Sequence, residues 1–473
     1  MTESTSLICP VHEPMDVKFS PRVLLIAESA NPEWVSVPLE GWSHSQAIGR
    51  QVRSHLVTHV RNAAAIERAG LCSDLFTSID SELVARTAGK VGAFLRGGAG
   101  KGWTTVMAFE SLGYYYFESL VWKQFGSAIR AGKFDLVHRI TPLSPTIPSL
   151  LAGKCRKAGV PFVLGPLNGG VPWPKAFNSI RRKEREWLSF VRGAHKLLPG
   201  YHGTRENAAA IIVGSGDTWN QMPPRYHDKC VYIPENAIEP SRFNRWRTRT
   251  TKRPIQVVFV GRLVPYKGAD MLLEAAAPLV RSGELQLKII GDGPQMAQLR
   301  EMIAREQLSG GVELTGWVDH ANVQDHLANS DLFAFPSIRE FGGAVVLEAM
   351  ALGVVPMVLR YGGPGELVTD QTGFLIEMAD RAQIVASFRN VLERVVVNPA
   401  LIDVRSAPAR LRVMQQFTWD VKTRQILEVY KWVLGRRPDK PDWGMPLQDP
   451  ETLHRYQALH ASPVPGETAE SVC

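Results

Sequence analysis

Two glutamates on either side of a glycine turn carry the clearest chemical signal in this sequence. Glu340 precedes the turn at Gly342 and Gly343, and Glu348 follows it within residues 344–352, whose composition favours a helix. A carboxylate is seldom buried without a partner, and an ionised one only accepts hydrogen bonds, so Glu348 suits the two hydroxyls of a ribose. A glutamate that caps a helix or forms an ion pair inside the core is the alternative.

The turn is expected at the carboxyl end of a buried strand. Residues 331–336 form a short apolar run closed by proline, which is typical of such a strand. The order strand, loop, helix places the loop and the first helical turn at the edge of the sheet where open α/β folds bind ligands. The segment therefore predicts a ligand site at this edge.

Two cations lie on another turn, earlier in the chain. Arg262 and Lys267 bracket a turn between the apolar strand pattern at residues 255–260 and a helical pattern that begins at Ala269. Two cations beside a helix N-terminus make a receptor for a diphosphate, whereas solvated loop charges are the alternative. The chain contains no Asp-x-Asp pair, so we expect no metal site.

The pattern around the two glutamates resembles the signature of retaining glycosyltransferases of family 4, which have the GT-B fold. Seven residues separate Glu340 from Glu348, a Phe-Pro-Ser strand end precedes them, and Ala-Met-Ala-Leu-Gly follows them. The resemblance implies an α/β fold of two Rossmann-like parallel-sheet domains that face a central cleft. It is specific over roughly residues 255–435 and faint before residue 134.

The resemblance also implies roles for individual residues. Glu348 would hold the nucleotide ribose, and Glu340 would lie beside the donor sugar as a catalytic residue. Arg262 and Lys267 would contact the donor phosphates and stabilise the departing nucleotide diphosphate without a metal. The loop residues whose amides would bind the diphosphate are Phe341, Gly342, Gly343 and Ala344.

His138 is a further catalytic candidate. Residues 134–138 have the pattern of a short strand that ends in this histidine, at the carboxyl end where sites form. The family commonly has a histidine in this position, which implies contact with the donor sugar from across the cleft. A lone histidine is usually structural, and that interpretation is the alternative.

Two glycines complete the candidate donor site. The family often has paired glycines in its first loop, where they let the backbone approach the sugar phosphate; here the loop at residues 28–45 has Gly41 followed by the bulky Trp42. Gly291 ends the strand pattern at residues 285–290, where it would touch the nucleotide or form a structural turn. Both are predicted donor-binding positions.

Composition limits the class of protein. With 473 residues, 45% of them hydrophobic and 21% charged, the chain is expected to form more than one soluble globular domain. The net charge of +8, from 54 basic and 46 acidic residues, favours acidic partners such as nucleotide diphosphates or anionic lipids. Five scattered cysteines without a Cys-x-x-Cys pair predict a reducing compartment and no disulfide framework.

Alternating strand and helix patterns divide the chain into two parallel α/β halves. In the first half, residues 46–69 have helical spacing throughout and are predicted to form one helix. The predicted divisions are a mobile leader at 1–20, an N-terminal acceptor domain at 21–245, a nucleotide-sugar domain at 254–415, a terminal helix at 416–435 that returns to the first domain, and a partly disordered tail at 436–473.

A basic segment with interspersed aromatics, residues 176–192, suits peripheral contact with an anionic membrane. A solvated helix that packs its aromatics on the domain is an equal alternative, and the absence of a nucleic-acid recognition motif ranks nucleic acid low. No targeting pattern and no apolar run of membrane-spanning length is evident. The expected location is cytoplasmic, with possible attachment to the inner face of a membrane.

The function expected from these features is that of a retaining glycosyltransferase of the hexosyltransferase type. It would move a sugar from a nucleotide-sugar, which is a substrate rather than a cofactor, to a glycan or lipid-linked acceptor in polysaccharide biosynthesis. A nucleotide-sugar epimerase on the same fold and a non-catalytic protein that binds glycans or membrane surfaces are the alternatives.

Overall fold

The computed structural model describes residues 19–82, 103–178, 194–247 and 251–447. Residues 1–18 of the predicted leader, residues 179–192 of the basic segment and the tail beyond residue 447 lie outside these ranges.

Two separate parallel sheets form the framework, which confirms the predicted α/β class. The first sheet has seven strands in the order β3-β2-β1-β4-β5-β6-β7, and the second has six in the order β10-β9-β8-β11-β12-β13. The strands of the first sheet are β1 Arg22–Ala27, β2 Arg53–His59, β3 Phe76–Ile79, β4 Leu136–Thr141, β5 Phe162–Leu167, β6 Ala210–Val213 and β7 Cys230–Tyr232. Those of the second are β8 Ile255–Val260, β9 Leu285–Ile290, β10 Val312–Gly316, β11 Leu332–Phe335, β12 Val355–Leu359 and β13 Phe374–Ile376.

Helices connect the strands and cover both sheets, as parallel pairing requires. In the first half these are α1 Val37–Gly49, α2 Val60–Arg68, α3 Trp103–Arg130, α4 Leu151–Lys157, α5 Tyr201–Asn207 and α6 Gly216–Gln221. The second half has α7 Ala269–Arg281, α8 Met296–Arg305, α9 His320–Ala328, α10 Ala344–Ala351, α11 Gly362–Leu367, α12 Arg381–Val397 and α13 Ala400–Gln416. Helix α14, Trp419–Val433, follows them.

The central strands are largely buried because both faces of each sheet are covered. All four residues of β11 are buried, and five of the six in β1 are buried. Phe259 and Phe335 pack with ring centres 5.6 Å apart inside the second sheet's core. Burying large rings in this way is a main source of the free energy that holds each half together.

Helix α14 packs on the first half although it follows the second half in the chain. Its residues Ile426, Val429 and Tyr430 join the buried cluster formed by strands of the first sheet. The Tyr430 hydroxyl is 2.6 Å from Nδ1 of His138, which lies in β4. The helix therefore contributes part of the first core.

The single helix predicted at residues 46–69 is wrong. The chain there ends α1, forms the buried strand β2 and then enters α2. The switch occurs at His59, whose side chain accepts a hydrogen bond from the amide of Arg61 and so caps α2. The stretch has helical sequence on both sides of the strand, which gave it a helical period as a whole.

One cysteine forms a disulfide, whereas the sequence predicts no disulfide framework. Cys72 is disulfide-bonded. Cys155 and Cys230 are free and buried. Burial raises the pKa of both of these thiols to about 12, so they remain protonated and behave as small apolar side chains.

Candidate functional site

The two chemically suggestive turns lie side by side. Strands β8 and β11 are neighbours in the second sheet, so the loops at their carboxyl ends meet at one edge. The amide of Ile338 donates to the carbonyl of Tyr266 at 2.9 Å, and the Ser337 hydroxyl donates to the same oxygen at 3.3 Å. These hydrogen bonds hold the turn that carries Lys267 against the segment that carries Glu340.

Lys267 and Glu340 form an ion pair at this edge. Their side chains are 19% and 18% exposed, so the pair is sheltered yet reachable by a ligand. The Lys267 ammonium also lies 5.2 Å from the centre of the Phe335 ring, and burial lowers its pKa to about 8. A desolvated ammonium of this kind interacts strongly with an incoming anion, because the surrounding protein screens it less than water would.

The loop after Glu340 leads into helix α10. Gly343 has φ 76°, which turns the chain into the helix, and the amide of Gly363 donates to the Glu340 carbonyl at 3.2 Å. First-turn amides of a helix have no partner within the helix, and the positive end of the helix dipole lies beside them. The residues predicted to bind a diphosphate, Phe341 to Ala344, therefore lie at the helix N-terminus next to the Lys267–Glu340 pair.

Glu348 lies on the second turn of α10. It is 9% exposed. It follows Ala344, the first residue of the helix, by four residues, which is a rise of about 6 Å along the helix axis. The helix thus starts at the loop of Glu340 and carries Glu348 one turn further. This spacing fits a ligand that extends from the loop along the helix, and the ribose role stays a prediction.

Arg262 and Gly291 occupy the neighbouring loops of the same edge. The Arg262 side chain is exposed at the start of the turn that ends in Lys267. The amide of Leu263 donates to the Asp292 carbonyl at 2.9 Å, which joins this turn to the loop after β9. Gly291 is therefore beside the cationic turn, as the donor-site prediction requires.

Gly291 is needed because two backbones touch there. It has φ 136°, and a Cβ at this position would collide with the Gly261 carbonyl. We expect Gly291→Ala to lower the free energy of unfolding by about 2 kcal/mol or more, from backbone strain plus the collision. Gly283→Ala is the matched control, since Gly283 also has positive φ (76°) but has nothing within 4 Å of its Cβ position. Urea unfolding of both variants measures the difference, and equal losses would contradict the collision.

The structure contradicts the catalytic role predicted for His138. Strand β4 continues to Thr141, so His138 lies inside the sheet rather than at its end. It is 0% exposed, and its ring nitrogens are each 2.6 Å from an oxygen, that of the Gly165 carbonyl and that of the Tyr430 hydroxyl. Burial lowers its pKa to about 3, which keeps the ring neutral. His138 therefore fastens α14 to the first sheet and does not face a cleft.

Gly41 does not lie in a loop as predicted. It is buried in helix α1, which begins at Val37 with Pro38 in its first turn. A Cβ at Gly41 would collide with the Ser29 carbonyl and would come 2.9 Å from Cγ2 of Thr141. Its close approach is thus to the backbone after β1, and contact with a sugar phosphate stays a prediction.

Contacts between the two halves were not predicted from the sequence. The Arg339 guanidinium lies 5.0 Å from the Trp173 ring centre, and Trp173 meets Tyr266 edge-on at 6.1 Å. The Tyr361 hydroxyl donates to the Pro172 carbonyl at 2.5 Å. The sequence contains these residues, but no local sequence pattern shows that residues of the two halves contact each other.

Glu366 makes the most polar of these contacts. Its carboxylate accepts hydrogen bonds from the Gly216 amide at 2.9 and 3.1 Å and from the Tyr232 hydroxyl at 2.7 Å, both in the first half. Burial, with a smaller contribution from the charge of Asp217, raises the pKa of Glu366 from an ordinary value of 4.5 to about 7, although the hydrogen bonds from Tyr232 and Gly216 lower it in part. The contact between the halves therefore includes a carboxyl group that titrates near neutrality.

This carboxyl predicts pH-dependent contact between the halves. Between pH 4.5 and about 7 the buried Glu366 holds a proton that a solvated carboxyl would release, so the contact is favoured at low pH and weakens as the pH rises through 7. We expect the radius of gyration, measured by X-ray scattering, to increase from pH 5.5 to pH 8. Glu366→Gln should flatten this dependence, whereas the control Glu377→Gln, at a 76% exposed side chain, should keep it. Equal profiles for the wild type and Glu366→Gln would contradict the assignment.

Metal-binding clusters and membrane-spanning helices are both absent from the described part of the chain. No group of three or more histidine, cysteine, aspartate and glutamate side chains there is arranged to hold a metal ion. None of the helices within those residues has the length and apolar character needed to cross a membrane.

Part of the chain, mostly in the second half, matches a known family. Residues 240–395 match the family described as Glycosyl transferases group 1. The chain is 25% identical over 221 residues to the phosphatidylinositol N-acetylglucosaminyltransferase GPI3 subunit of Saccharomyces cerevisiae, covering 45% of this chain and 48% of that protein. The chain thus spans about half the length of that curated relative.

A second relative and a solved structure extend the comparison. The GDP-mannose-dependent monoacylated alpha-(1-6)-phosphatidylinositol monomannoside mannosyltransferase of Corynebacterium glutamicum is 25% identical over 295 residues, covering 59% of this chain and 73% of that protein. The crystal structure of a glycosyltransferase from Rickettsia africae is similar with a TM-score of 0.58 at 15% identity, covering 88% of this chain and all of that one (100%). The likeness is one of fold, and it confirms the predicted GT-B arrangement.

Proposed function

We propose that this protein, whose residues 240–395 are a Glycosyl transferases group 1 domain on a GT-B fold, is a retaining glycosyltransferase of family 4. It moves a sugar from a nucleotide-sugar to a glycan or lipid-linked acceptor in polysaccharide biosynthesis. The observation that carries the proposal is the Lys267–Glu340 pair beside the N-terminus of α10. At one sheet edge, the cation and the helix amides suit the diphosphate of such a donor, and the carboxylate suits its sugar.

The donor is held by the second half in this proposal. Its diphosphate lies on the amides of the loop before α10 and against Lys267 and Arg262, and its ribose hydroxyls donate to Glu348. Glu340 then orients the sugar that is transferred. Arg262 is exposed at the start of the turn that ends in Lys267.

The transfer step needs charge stabilisation at the departing group. The acceptor oxygen bonds to the anomeric carbon on the face from which the diphosphate leaves, while the bond from that carbon to the phosphate oxygen breaks. The acceptor's proton passes to the leaving diphosphate, and Lys267 offsets the negative charge that develops there. Contact between the two halves excludes water, which would otherwise hydrolyse the donor.

The acceptor is assigned to the first half and to a lipid-linked or glycan class. Two relatives carry names that refer to phosphatidylinositol acceptors, and the net charge of +8 suits an anionic surface. A lipid-linked acceptor implies a cytoplasmic protein with peripheral contact to the inner face of a membrane. No cofactor is required, because the nucleotide-sugar is itself a substrate.

A thermal-shift screen tests the proposal. UDP, GDP and ADP and their sugars are added in turn, and one nucleotide series is expected to stabilise the protein, by roughly 2.7 kcal/mol at a concentration of 100 times Kd. Product formation with a glycan or lipid-linked acceptor, with the anomeric configuration retained by NMR, completes the test. A different sugar formed from the donor without any acceptor would favour an epimerase, and no shift with any nucleotide would favour a binding protein.

A further inference from the structure

A buried group of charged residues lies between the two halves, next to the donor loop. The group comprises Glu40 on α1, Glu235 after β7 and Lys422 on α14, and is called here the Glu40–Glu235–Lys422 cluster. Lys422 is 1% exposed and Glu235 is 7% exposed, and the Glu40 side chain is 14% exposed. Charged side chains buried to this degree normally have compensating partners.

The cluster is only partly compensated. Oε2 of Glu235, Oε1 of Glu40 and Nδ2 of the neighbouring Asn168 are buried and make no well-formed hydrogen bond. Oε1 of Glu40 lies 3.3 Å from Nδ1 of His44, and the Asn168 amide is close enough to lower the pKa of Glu235. Oε1 of Glu235 accepts one long hydrogen bond, at 3.4 Å, from Asn236. A buried polar atom without a partner costs about 1–3 kcal/mol, so several in one place indicate a site whose hydrogen bonds are completed by a ligand.

The electrostatics of the cluster favour a neutral ligand. Burial raises the pKa of Glu40 and of Glu235 to about 8, and burial lowers that of Lys422 to about 8. A phosphate has only acceptor oxygens and cannot satisfy the oxygens of these carboxyl groups, and an apolar group would leave them unpaired. Sugar hydroxyls both donate and accept hydrogen bonds, so they satisfy carboxyl oxygens, an amide and an ammonium together.

The cluster is adjacent to the loop assigned to the donor. A Cβ placed on Gly342 would collide with Nδ2 of Asn236 and Oε1 of Glu235. The backbone of the donor loop thus packs directly on Glu235, with no space for a side chain between them. A ligand that extends from the diphosphate site on this loop reaches the cluster next.

We infer that the Glu40–Glu235–Lys422 cluster, with Asn168, binds the hydroxyls of the sugar ring that the donor carries. This inference rests on the proposed function, since it requires a nucleotide-sugar on the loop before α10. Glu235 is the central member, because Oε1 lies against the donor loop at Gly342 and Oε2 lies against Gly214 on the other side. The first half therefore selects the transferred sugar, while the second half binds the nucleotide.

Calorimetric binding of UDP with UDP-glucose, and of GDP with GDP-mannose, tests the inference. For the pair that binds, Glu235→Gln should lower the affinity for the sugar nucleotide about tenfold relative to the free nucleotide, because the amide does not reproduce the hydrogen bonds of the carboxyl group and leaves a buried partner unpaired. The dissociation constant of the free nucleotide should stay within about twofold, which is ordinary for a site left unchanged. Lys422→Met should give the same pattern by removing the ammonium.

The matched control is Glu239→Gln. Glu239 follows the same strand but is exposed and pairs with Arg50 at 3.4 Å on the surface, so its ratio of affinities should equal that of the wild type. An unchanged ratio in Glu235→Gln, with the native melting temperature, overturns the inference even if Lys422→Met does not fold. Failure of the wild type to bind any nucleotide would instead refute the proposed function, so the two failures are distinguishable.

Discussion

Lys267→Ala is expected to lower turnover by about 10²-fold or more, because it removes a charge that acts on the departing diphosphate. The ammonium is four-fifths buried, lies over the Phe335 ring and contacts Glu340, so water replaces it poorly. Since the charge matters most as the bond breaks, kcat should fall more than the affinity for the donor. Steady-state kinetics with the identified donor and acceptor measure both quantities.

Lys288→Ala is the control for this variant. Lys288 also pairs with a glutamate in the second half, Glu313 at 3.0 Å, but on the outer strands and with more exposed side chains. Surface pairs of this kind contribute little, so turnover should be unchanged. If Lys267→Ala retained the kcat of the wild type, the turn after β8 would be structural only.

Glu348→Ala is expected to weaken nucleotide binding at least tenfold. The ribose hydroxyls would lose a charged acceptor, and hydrogen bonds to charged groups are worth about 1.5–3 kcal/mol each. The effect should appear in the dissociation constant of the nucleoside diphosphate alone, measured by calorimetry. Glu348→Gln, which keeps the volume of the buried side chain, should show a smaller loss in the same direction.

Deoxyribose nucleotides provide the decisive control for Glu348. A 2′-deoxy nucleotide already lacks one of the hydroxyls, so the wild type and Glu348→Ala should differ less for it than for the ribose form. Glu393→Ala, an exposed helical glutamate in the same half, should leave every affinity unchanged. Equal losses for ribose and deoxyribose nucleotides would show that Glu348 supports the helix and does not touch the sugar.

The second half could be predicted well because its site is built from short, contiguous pieces. Strand, glycine loop and helix follow one another around Glu340, and parallel pairing brings the loop of Lys267 to the same edge. Each step depends on local pattern and on the rule that parallel strands end together. The alternation of strands and helices predicted two parallel α/β domains, and the resemblance to a known family implied the GT-B fold.

The first half was predicted less well, and the end of strand β4 shows why. The strand was predicted to end at His138, yet the guanidinium of the next residue, Arg139, is buried and donates to the Ile147 carbonyl at 2.8 Å and the Pro142 carbonyl at 3.0 Å. With these hydrogen bonds an arginine continues the strand, and His138 is left in the interior. The sequence pattern does not show that a charged side chain will be buried and hydrogen-bonded to carbonyl groups of a following loop.

The Glu40–Glu235–Lys422 cluster illustrates the same limit. Its members come from the first helix, the end of the first sheet and the helix after the second half. Each alone has the pattern of an ordinary surface charge, because periodicity reports neighbours along the chain and not across it. Only the packing of the two halves shows that these groups are buried together.

The place of helix α14 has a consequence for how the protein folds during synthesis. Ile426, Val429 and Tyr430 belong to the buried cluster of the first sheet, so that sheet lacks part of its core until they leave the ribosome. Nascent domains usually fold in the order in which they emerge. Here the second half is in effect an insertion into the first, so it is free to fold first, and the N-terminal half closes last around a segment made after it.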